Sequence, residues 1–426
     1  MSEAVRRRRL AALGTAGLAV TAAGVVVNAL AYVLPVIGAR QLEPASLSAL
    51  ATLLALGAIL GVPATGLQMA VAVHRARHGA ASAATSTRLT VAVTVGTLAV
   101  VLPVATVLLR LPADATALLG VITCCVVVAG RWLGELQGDQ RFLRLATGMA
   151  VLAAGRYGGV AVGLLAGAGL TGALLAGAAA SALVLPLLAQ LARNGGAAGS
   201  TGPGSAAAVP VRAVFTAGGA TLAMLVVSYA DLLLARRFLE ADVSAAYAVG
   251  TVLTKGALWA PQVVTVLVLP RLAKGDRRSL TTALALVAGF GVLLVTASAL
   301  AGELAFGIAG GAAYTGFGGY APIFAATGAL YALVFVLVNA QVAAGARWPS
   351  APLWAGTAGY TVAVATVVPQ TLAGIAVSAL VTAAAMTAAT GLLVLLRSRR
   401  PAPAGVLATP DPRPVTEPAS TRYPQR

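Results

Sequence analysis

The chain has 426 residues, of which 59% are hydrophobic and 10% are charged, whereas soluble globular proteins carry about 25% charged residues. With a mean hydropathy of +0.91, this composition excludes a soluble enzyme. The net charge of +17 would indicate nucleic-acid binding in a soluble chain, but the aromatic content of 5% and the large apolar fraction exclude that class. An integral membrane protein with basic loops explains both the hydropathy and the charge.

The few cysteines and histidines exclude metal and redox chemistry. Cys124 and Cys125 are adjacent within an apolar run, and no third cysteine exists to pair with either. His74 and His78 alternate with arginines, which indicates a solvated loop, and they cannot supply a zinc site. The sequence therefore predicts no metal and no other cofactor.

Twelve runs along the chain have the length and hydropathy of membrane spans, each near the 20 residues that a bilayer core requires. They lie at 11–37, 45–73, 89–109, 115–132, 145–166, 168–192, 211–235, 243–269, 279–303, 320–343, 351–369 and 371–396. The first run is longer than the apolar core of a signal peptide, so we expect it to be retained as a helix.

The basic residues divide between the two ends of these spans very unevenly. If the N-terminus is cytoplasmic, the external connections contain four: Arg40, Arg110, Arg236 and Arg237. Two more lie within spans, and the remaining 23 of the 29 fall on the cytoplasmic side. The positive-inside rule thus predicts a multi-pass protein of the cell membrane with both termini in the cytoplasm.

The composition divides the chain into two lobes of six helices. The segment 193–210 is rich in Gly, Ser and Ala and is predicted to be a flexible cytoplasmic linker, and the basic, Pro-rich tail 397–426 is predicted to be disordered. The N-lobe is then 1–192 and the C-lobe 211–396. These connections are too short for a soluble catalytic domain, so we expect no enzyme.

An internal repeat relates the lobes at an offset of 197 residues. The motif R-x-L-E, followed at a fixed distance by a small residue and alanine, begins at Arg40 and again at Arg237, and Tyr32 matches Tyr229. Pro63 matches the proline at position 261 at an offset of 198, and both prolines are expected to bend their helices. Because each lobe has an even number of spans, the repeats would be parallel, an architecture found in secondary transporters.

These motifs carry a family resemblance. The segments ARQLEPASLSAL, ARRFLEADVSAAYAVGTVL and LVLPRLA together resemble polysaccharide-biosynthesis flippases of the O-antigen flippase type, which belong to the MOP superfamily with the MATE exporters. The resemblance implies twelve helices in two lobes around a cavity lined largely by spans one, two, seven and eight. It also implies movement of a polyprenyl-pyrophosphate-linked saccharide across the membrane, with membrane lipid and glycan-assembly proteins as partners.

Charged residues inside spans cost about 2.5–3.5 kcal/mol on insertion scales and need a reason. Arg156 lies near the centre of span five and Lys255 near the centre of span eight. Facing a cavity, both would bind a pyrophosphate; the alternative is a structural pair with a carboxylate or with helix carbonyls. Asp231, near the external end of span seven, is predicted to couple transport to an ion gradient. It could otherwise pair with Arg236, Arg237 or Lys255.

Uncharged polar residues inside spans are the remaining site candidates. Asn28, Gln68 and Gln262 are predicted to contact sugar hydroxyls, and Asn339 and Gln341 could do the same, although such residues also hold helices together. The GxGxxG match from Gly167 to Gly172 joins two membrane helices and follows no strand, so it predicts no nucleotide site. Four function classes stay open: the flippase, a MATE-like antiporter for organic cations, a membrane glycosyltransferase and a non-transporting scaffold. The two cations against one acid favour an anionic substrate.

Overall fold

A computed structural model describes residues 3–78, 84–193, 211–259, 277–344, 346 and 348–398. Every regular element within these ranges is helical, which confirms the predicted all-α class. The predicted linker and tail fall, apart from their first residues, outside the described ranges, and the lobe boundaries stay predictions.

Eight α-helices and one π-helical turn form the described part of the N-lobe. They are α1 (Glu3–Gln41), α2 (Pro44–Leu60), α3 (Val62–His78), α4 (Ala84–Leu108), α5 (Ala113–Gly138), α6 (Phe142–Ala153), the π-helical turn (Ala154–Gly158), α7 (Gly159–Leu165) and α8 (Gly169–Arg193). The C-lobe contains α9 (Val211–Phe238), α10 (Ala241–Trp259), α11 (Arg277–Leu300), α12 (Gly302–Gly310), a 3-10 helix (Ala312–Tyr320), α13 (Ala321–Ala343), α14 (Ala351–Thr366) and α15 (Leu372–Ser398).

Ten helical stretches in the described ranges are long and apolar enough to cross a membrane. They correspond to ten of the twelve predicted spans, with α2 and α3 together forming span two. The eighth span is described only as far as Trp259, and its helix α10 contains the charged Asp242 and Lys255. The eleventh, α14, has 16 residues, fewer than the roughly 20 that cross a bilayer core.

Helix packing in the N-lobe relies on glycines spaced four residues apart. A Cβ atom at Gly130, Gly134 or Gly138 of α5 would lie 2.6, 2.5 or 2.8 Å from a backbone oxygen of α3. Gly159 and Gly163 face α8 in the same way. Because lipid is as apolar as leucine, membrane helices associate through such close backbone approach. The spacing is visible in the sequence, and it fixes α3 against α5.

The two lobes pair their helices in the same pattern. In the N-lobe, α3 and α4 contact α5, α5 contacts α8, α7 contacts α8, and α1 contacts α6. In the C-lobe, α10 and α11 contact α13, α13 contacts α15, α14 contacts α15, and α9 contacts α14. The lobes meet through α1, α2 and α3 of the first and α9, α10 and α12 of the second. This pattern is the one expected of a parallel repeat.

Span two is broken between α2 and α3 at Gly61. Gly61 caps α2 through its N–H, which bonds to the carbonyl of Gly57 at 3.0 Å, and Pro63 lies in the first turn of α3. The interruption lies next to Pro63, where a bend was predicted, whereas position 261 lies outside the described residues. The prediction of a solvated loop around His74 was wrong, because α3 continues to His78 and His74 is buried.

Candidate functional site

Two adjoining cavities lie in the middle of the molecule. Cavity A, of about 240 Å³, is bounded mainly by N-lobe helices and by the α9 residues Thr221 and Leu225. Cavity B, of about 320 Å³, lies between the lobes and is lined from α1, α2, α9 and α10. Thr65 and Tyr157 belong to the walls of both, so the two cavities adjoin each other at the lobe interface.

Cavity B straddles the axis that relates the repeats. Ten of its lining residues form five pairs separated by 197 positions. The pairs are Asn28 and Leu225, Tyr32 and Tyr229, Pro35 and Leu232, Leu54 and Thr251, and Ala58 and Lys255. Residues related by a two-fold rotation come together only near its axis. The geometry therefore agrees with the offset found in the sequence, and it places the cavity where both lobes contribute equivalent positions.

Arg156 lies on the wall of cavity A and is carried by the π-helical turn of span five. Such turns insert an extra residue into a helix and often occur at functional sites. The guanidinium carbon lies 4.8 Å from the ring centre of Tyr157. Its Nη2 lies 3.1 Å from the position a Cβ atom would take at Gly57. Within the described residues Arg156 makes no hydrogen bond or ion pair, so its donors face the cavity.

Lys255 lies on the wall of cavity B, yet its ammonium group is partnered within the protein. It is 5% exposed, and Nζ lies 3.4 Å from the ring centre of Tyr229 and donates a hydrogen bond to the carbonyl of Ser228. Tyr32, from the other lobe, donates its hydroxyl to the carbonyl of Lys255 at 3.4 Å. These contacts join α1, α9 and α10 at one point. The lysine is thus held by aromatic and carbonyl groups rather than by a carboxylate.

Asp231 is 1% exposed and lies outside the walls of both cavities. Its Oδ1 accepts the N–H of Leu232 at 2.8 Å, and its Oδ2 accepts the hydroxyl of Tyr247 at 3.1 Å. Among the described residues it forms no ion pair, so the pairings with Arg236 and Arg237 considered from the sequence are absent there, whereas Lys255 is close enough to interact with it electrostatically. Tyr247, which nothing in the sequence pattern singled out, supplies the side-chain donor.

The uncharged polar candidates lie in different parts of the structure, and only some of those described line a cavity. Asn28 lines cavity B, and Gln68 lines cavity A while its Nε2 donates to Oε1 of Gln137 at 2.9 Å. Gln262 lies outside the described residues. Gln341 is buried away from both cavities and donates to the carbonyl of Thr390 at 3.4 Å. Asn28 and Gln68 are therefore the members of this group that reach the cavities in the described part of the chain.

Cavities A and B together carry positive charge. Of the described lining residues, Arg156 and Lys255 carry formal charge and none is an aspartate or a glutamate. Charges inside spans are rare, so the sequence identified both cations, but it did not identify Tyr157, which lines both cavities. The adjacency of Tyr157 to Arg156 was the available signal.

No protein-family model and no curated protein matches the sequence. Among solved structures, the chain is similar to an inward-facing multidrug resistance MATE family transporter of the MOP superfamily, with 13% identity and a TM-score of 0.64 over 88% of this chain and 96% of that chain. An outward-facing MATE family transporter aligns with 16% identity and a TM-score of 0.60 over 90% and 95%. A Vibrio cholerae MATE transporter aligns with 14% identity and a TM-score of 0.55 over 91% and 98%. The chain therefore has the all-α membrane fold of the MATE transporters of the MOP superfamily.

Proposed function

We propose that the protein is a flippase that moves a polyprenyl-pyrophosphate-linked saccharide across the cell membrane by alternating access. The observation that carries the proposal is the positive charge of the two adjoining cavities. Arg156 lines cavity A and Lys255 lines cavity B, and among the described residues no carboxylate lines either one. A site that binds organic cations would require the opposite charge. A buried positive cavity between two lobes suits a phosphate-bearing headgroup.

In this proposal Arg156 is the first contact for the pyrophosphate. Its guanidinium has no hydrogen-bond acceptor among the described residues, so its donors are available to a ligand. A planar guanidinium binds two phosphate oxygens at once, which a lysine cannot do. Gly57 leaves space for the guanidinium, because a Cβ atom there would lie 3.1 Å from Nη2 of Arg156.

Lys255 plays a second, conditional role. Its ammonium is already satisfied by the Tyr229 ring and the Ser228 carbonyl, so a phosphate must compete with these contacts. The ammonium contacts join α10 to α9 within the C-lobe, whereas the hydrogen bond from Tyr32 of α1 ends on the backbone carbonyl of Lys255. Release of the ammonium would therefore free α10 from α9 and would link binding to a rearrangement inside the C-lobe.

Asn28, Gln68 and Gln262 would contact the saccharide hydroxyls. Both termini would lie in the cytoplasm, and glycan-assembly proteins would supply or consume the substrate.

Asp231 would carry the coupling ion or proton, with Tyr247 holding the carboxylate in place. Its test is Asp231→Asn. If Asp231 couples transport, the variant should fold but respond no longer to an imposed ion gradient, and an unchanged response would remove Asp231 from the scheme.

One observation favours a second function, a cation-coupled multidrug antiporter. Asp231 is a buried carboxylate, as ion coupling would require, and its hydrogen-bond partners are the neutral N–H of Leu232 and hydroxyl of Tyr247. The similar solved structures include transporters described as multidrug resistance proteins. Such an antiporter would bind its cationic substrate in a part of the cavity that the cations Arg156 and Lys255 do not reach.

Deletion of the gene separates the two functions. A flippase deletion should accumulate lipid-linked saccharide in the inner leaflet and reduce surface glycan, and complementation should fail with Arg156→Ala. An antiporter deletion should change sensitivity to cationic drugs and dyes while surface glycan stays constant. Normal glycans, normal precursor and restored phenotype with Arg156→Ala would together contradict the flippase proposal.

A further inference from the structure

The end of span seven reaches across the lobe interface through Arg236. The guanidinium donates from Nε to the carbonyl of Leu109 at 3.1 Å, from Nη2 to that of Arg110 at 3.0 Å and from Nη1 to that of Ala45 at 3.2 Å. All three acceptors belong to the N-lobe, whereas Arg236 belongs to the C-lobe. The whole planar fork of the side chain is therefore used between lobes.

The acceptors are available because of how α4 ends. Arg110 has a φ of 51°, and the N–H of Leu111 bonds back to the carbonyl of Thr106 at 3.0 Å, the arrangement of a left-handed helix cap. The last carbonyls of a helix have no partner within it and carry its partial negative charge. Arg236 satisfies two of these carbonyls and places a cation at the favourable end of α4.

The N-lobe makes the reciprocal contact. Arg40, at the end of α1, donates from Nη2 to the carbonyl of Ile308 in α12 at 3.4 Å. Arg40 begins the R-x-L-E motif of the first repeat, and Arg236 directly precedes Arg237, which begins the second. Each lobe thus ends its first helix with an arginine that reaches a carbonyl of the other lobe.

A pair of serines closes the interface beside these arginines. The hydroxyl oxygens of Ser48 and Ser244 lie 2.6 Å apart, and both residues are buried at the starts of α2 and α10. Their separation of 196 residues makes them nearly equivalent in the repeat, so their contact marks its axis. The two arginines therefore flank the axis at one end of the molecule.

We propose that Arg236 and Arg40 form a latch that holds the external ends of the two lobes together and must open once in each transport cycle. The inference rests on the proposed alternating access, but it concerns the lobes and needs no substrate identity. The latch uses neutral carbonyl acceptors, because a carboxylate partner in the same place would make opening far more costly.

Cysteine accessibility tests the latch in intact cells. In a background with Cys124→Ala and Cys125→Ala, the added Asn28→Cys places a single thiol in cavity B. Its labelling by a membrane-impermeant maleimide should speed up about 10-fold with Arg236→Ala, a shift of about 1.4 kcal/mol toward the externally open state. Arg237→Ala is the matched control, since Arg237 stacks on its own neighbour Phe238 at 5.7 Å. It should leave the rate unchanged.

A second variant guards against misfolding. Ser48→Cys with Ser244→Cys, in the same cysteine-free background, should form a disulfide on mild oxidation, because the two side-chain atoms need approach only to about 2.05 Å. Oxidation should block external labelling at position 28, and reduction should restore it. The latch is refuted by equal rates in Arg236→Ala and the parent, by equal acceleration in Arg237→Ala, or by acceleration seen only in inside-out vesicles. These readouts use no substrate, so their failure is distinct from failure of the flippase proposal.

Discussion

Replacement of Lys255 by methionine separates a functional lysine from a structural one. Methionine has a similar length and no charge, so it fills the same space beside Tyr229 while removing the ammonium. The substitution abolishes the cation–π interaction with Tyr229 and the hydrogen bond to the Ser228 carbonyl. The burial of charge at mid-membrane is relieved at the same time.

In Lys255→Met, the stability lost with the ammonium contacts and the stability gained by removing a buried charge nearly cancel. A desolvated cation–π contact contributes about 2 kcal/mol and a charged hydrogen bond about 1.5–3 kcal/mol. Against this, the insertion of a lysine at the centre of a span costs about 2.5–3.5 kcal/mol. The difference leaves Lys255 stabilising by roughly 1 kcal/mol, from the same contact and insertion values. We therefore expect Lys255→Met to lower the midpoint of thermal unfolding by no more than about 2–4 °C.

Transport should respond much more strongly than stability. With the flippase reconstituted in vesicles, Lys255→Met should reduce lipid-linked saccharide transport at least about 10-fold, since a charged contact to phosphate contributes more than about 1.4 kcal/mol. Lys255→Arg is the control that keeps the charge. Full transport in Lys255→Met would refute the substrate role. A fall in the unfolding midpoint of more than about 10 °C would refute the energy balance on which the expectation depends.

The remaining predictions concern the cavity and the helix packing. Arg156→Ala should lower transport at least about 10-fold with unchanged expression, and Arg156→Lys should retain an intermediate rate, because the charge stays but bidentate binding is lost. Gly130→Ala should destabilise the protein by about 1–3 kcal/mol in thermal unfolding, because its Cβ would meet a backbone oxygen at 2.6 Å. Gly96→Ala, which has no atom within 4 Å, should not. Ala58 is the equivalent of Lys255 in the first repeat, so adding Ala58→Lys to Lys255→Met should recover part of the transport. If transport does not recover, the location of the lysine in cavity B matters as well as its charge.

Hydropathy predicted most of the fold, because each bilayer span must be apolar over about 20 residues and the loops between them are basic. The two exceptions have local causes. Span two breaks at Gly61, and α14 has 16 residues although the apolar run extends to 369. Hydropathy reports where a helix can lie in lipid, but caps and breaks depend on single residues such as Gly61 and Pro63.

The cavity could be predicted only in part. A charge inside a span signals a site, so Arg156 and Lys255 were identifiable, but their surroundings were not. The π-helical turn that orients Arg156 depends on packing against α8, and no pattern in the sequence predicts it. Likewise, only the folded chain brings Tyr229 over Lys255 and Tyr247 to Asp231. Contacts between residues far apart in sequence are set by helix packing, which hydropathy does not encode.

The repeat provides the frame in which the differences between the lobes have meaning. Tyr32 and Tyr229 are the same residue type at equivalent positions of cavity B, so this part of the wall is symmetric. The charges are not: Lys255 corresponds to Ala58 by the 197-residue offset, and Asp231 to the buried Leu34. A symmetric cavity would present the same surface to a ligand from both lobes. Because Arg156 lies in the N-lobe and Lys255 in the C-lobe at non-equivalent positions, a bound anion would contact the two lobes differently. Only an interaction that differs between two arrangements of the lobes allows a ligand to shift the balance between them.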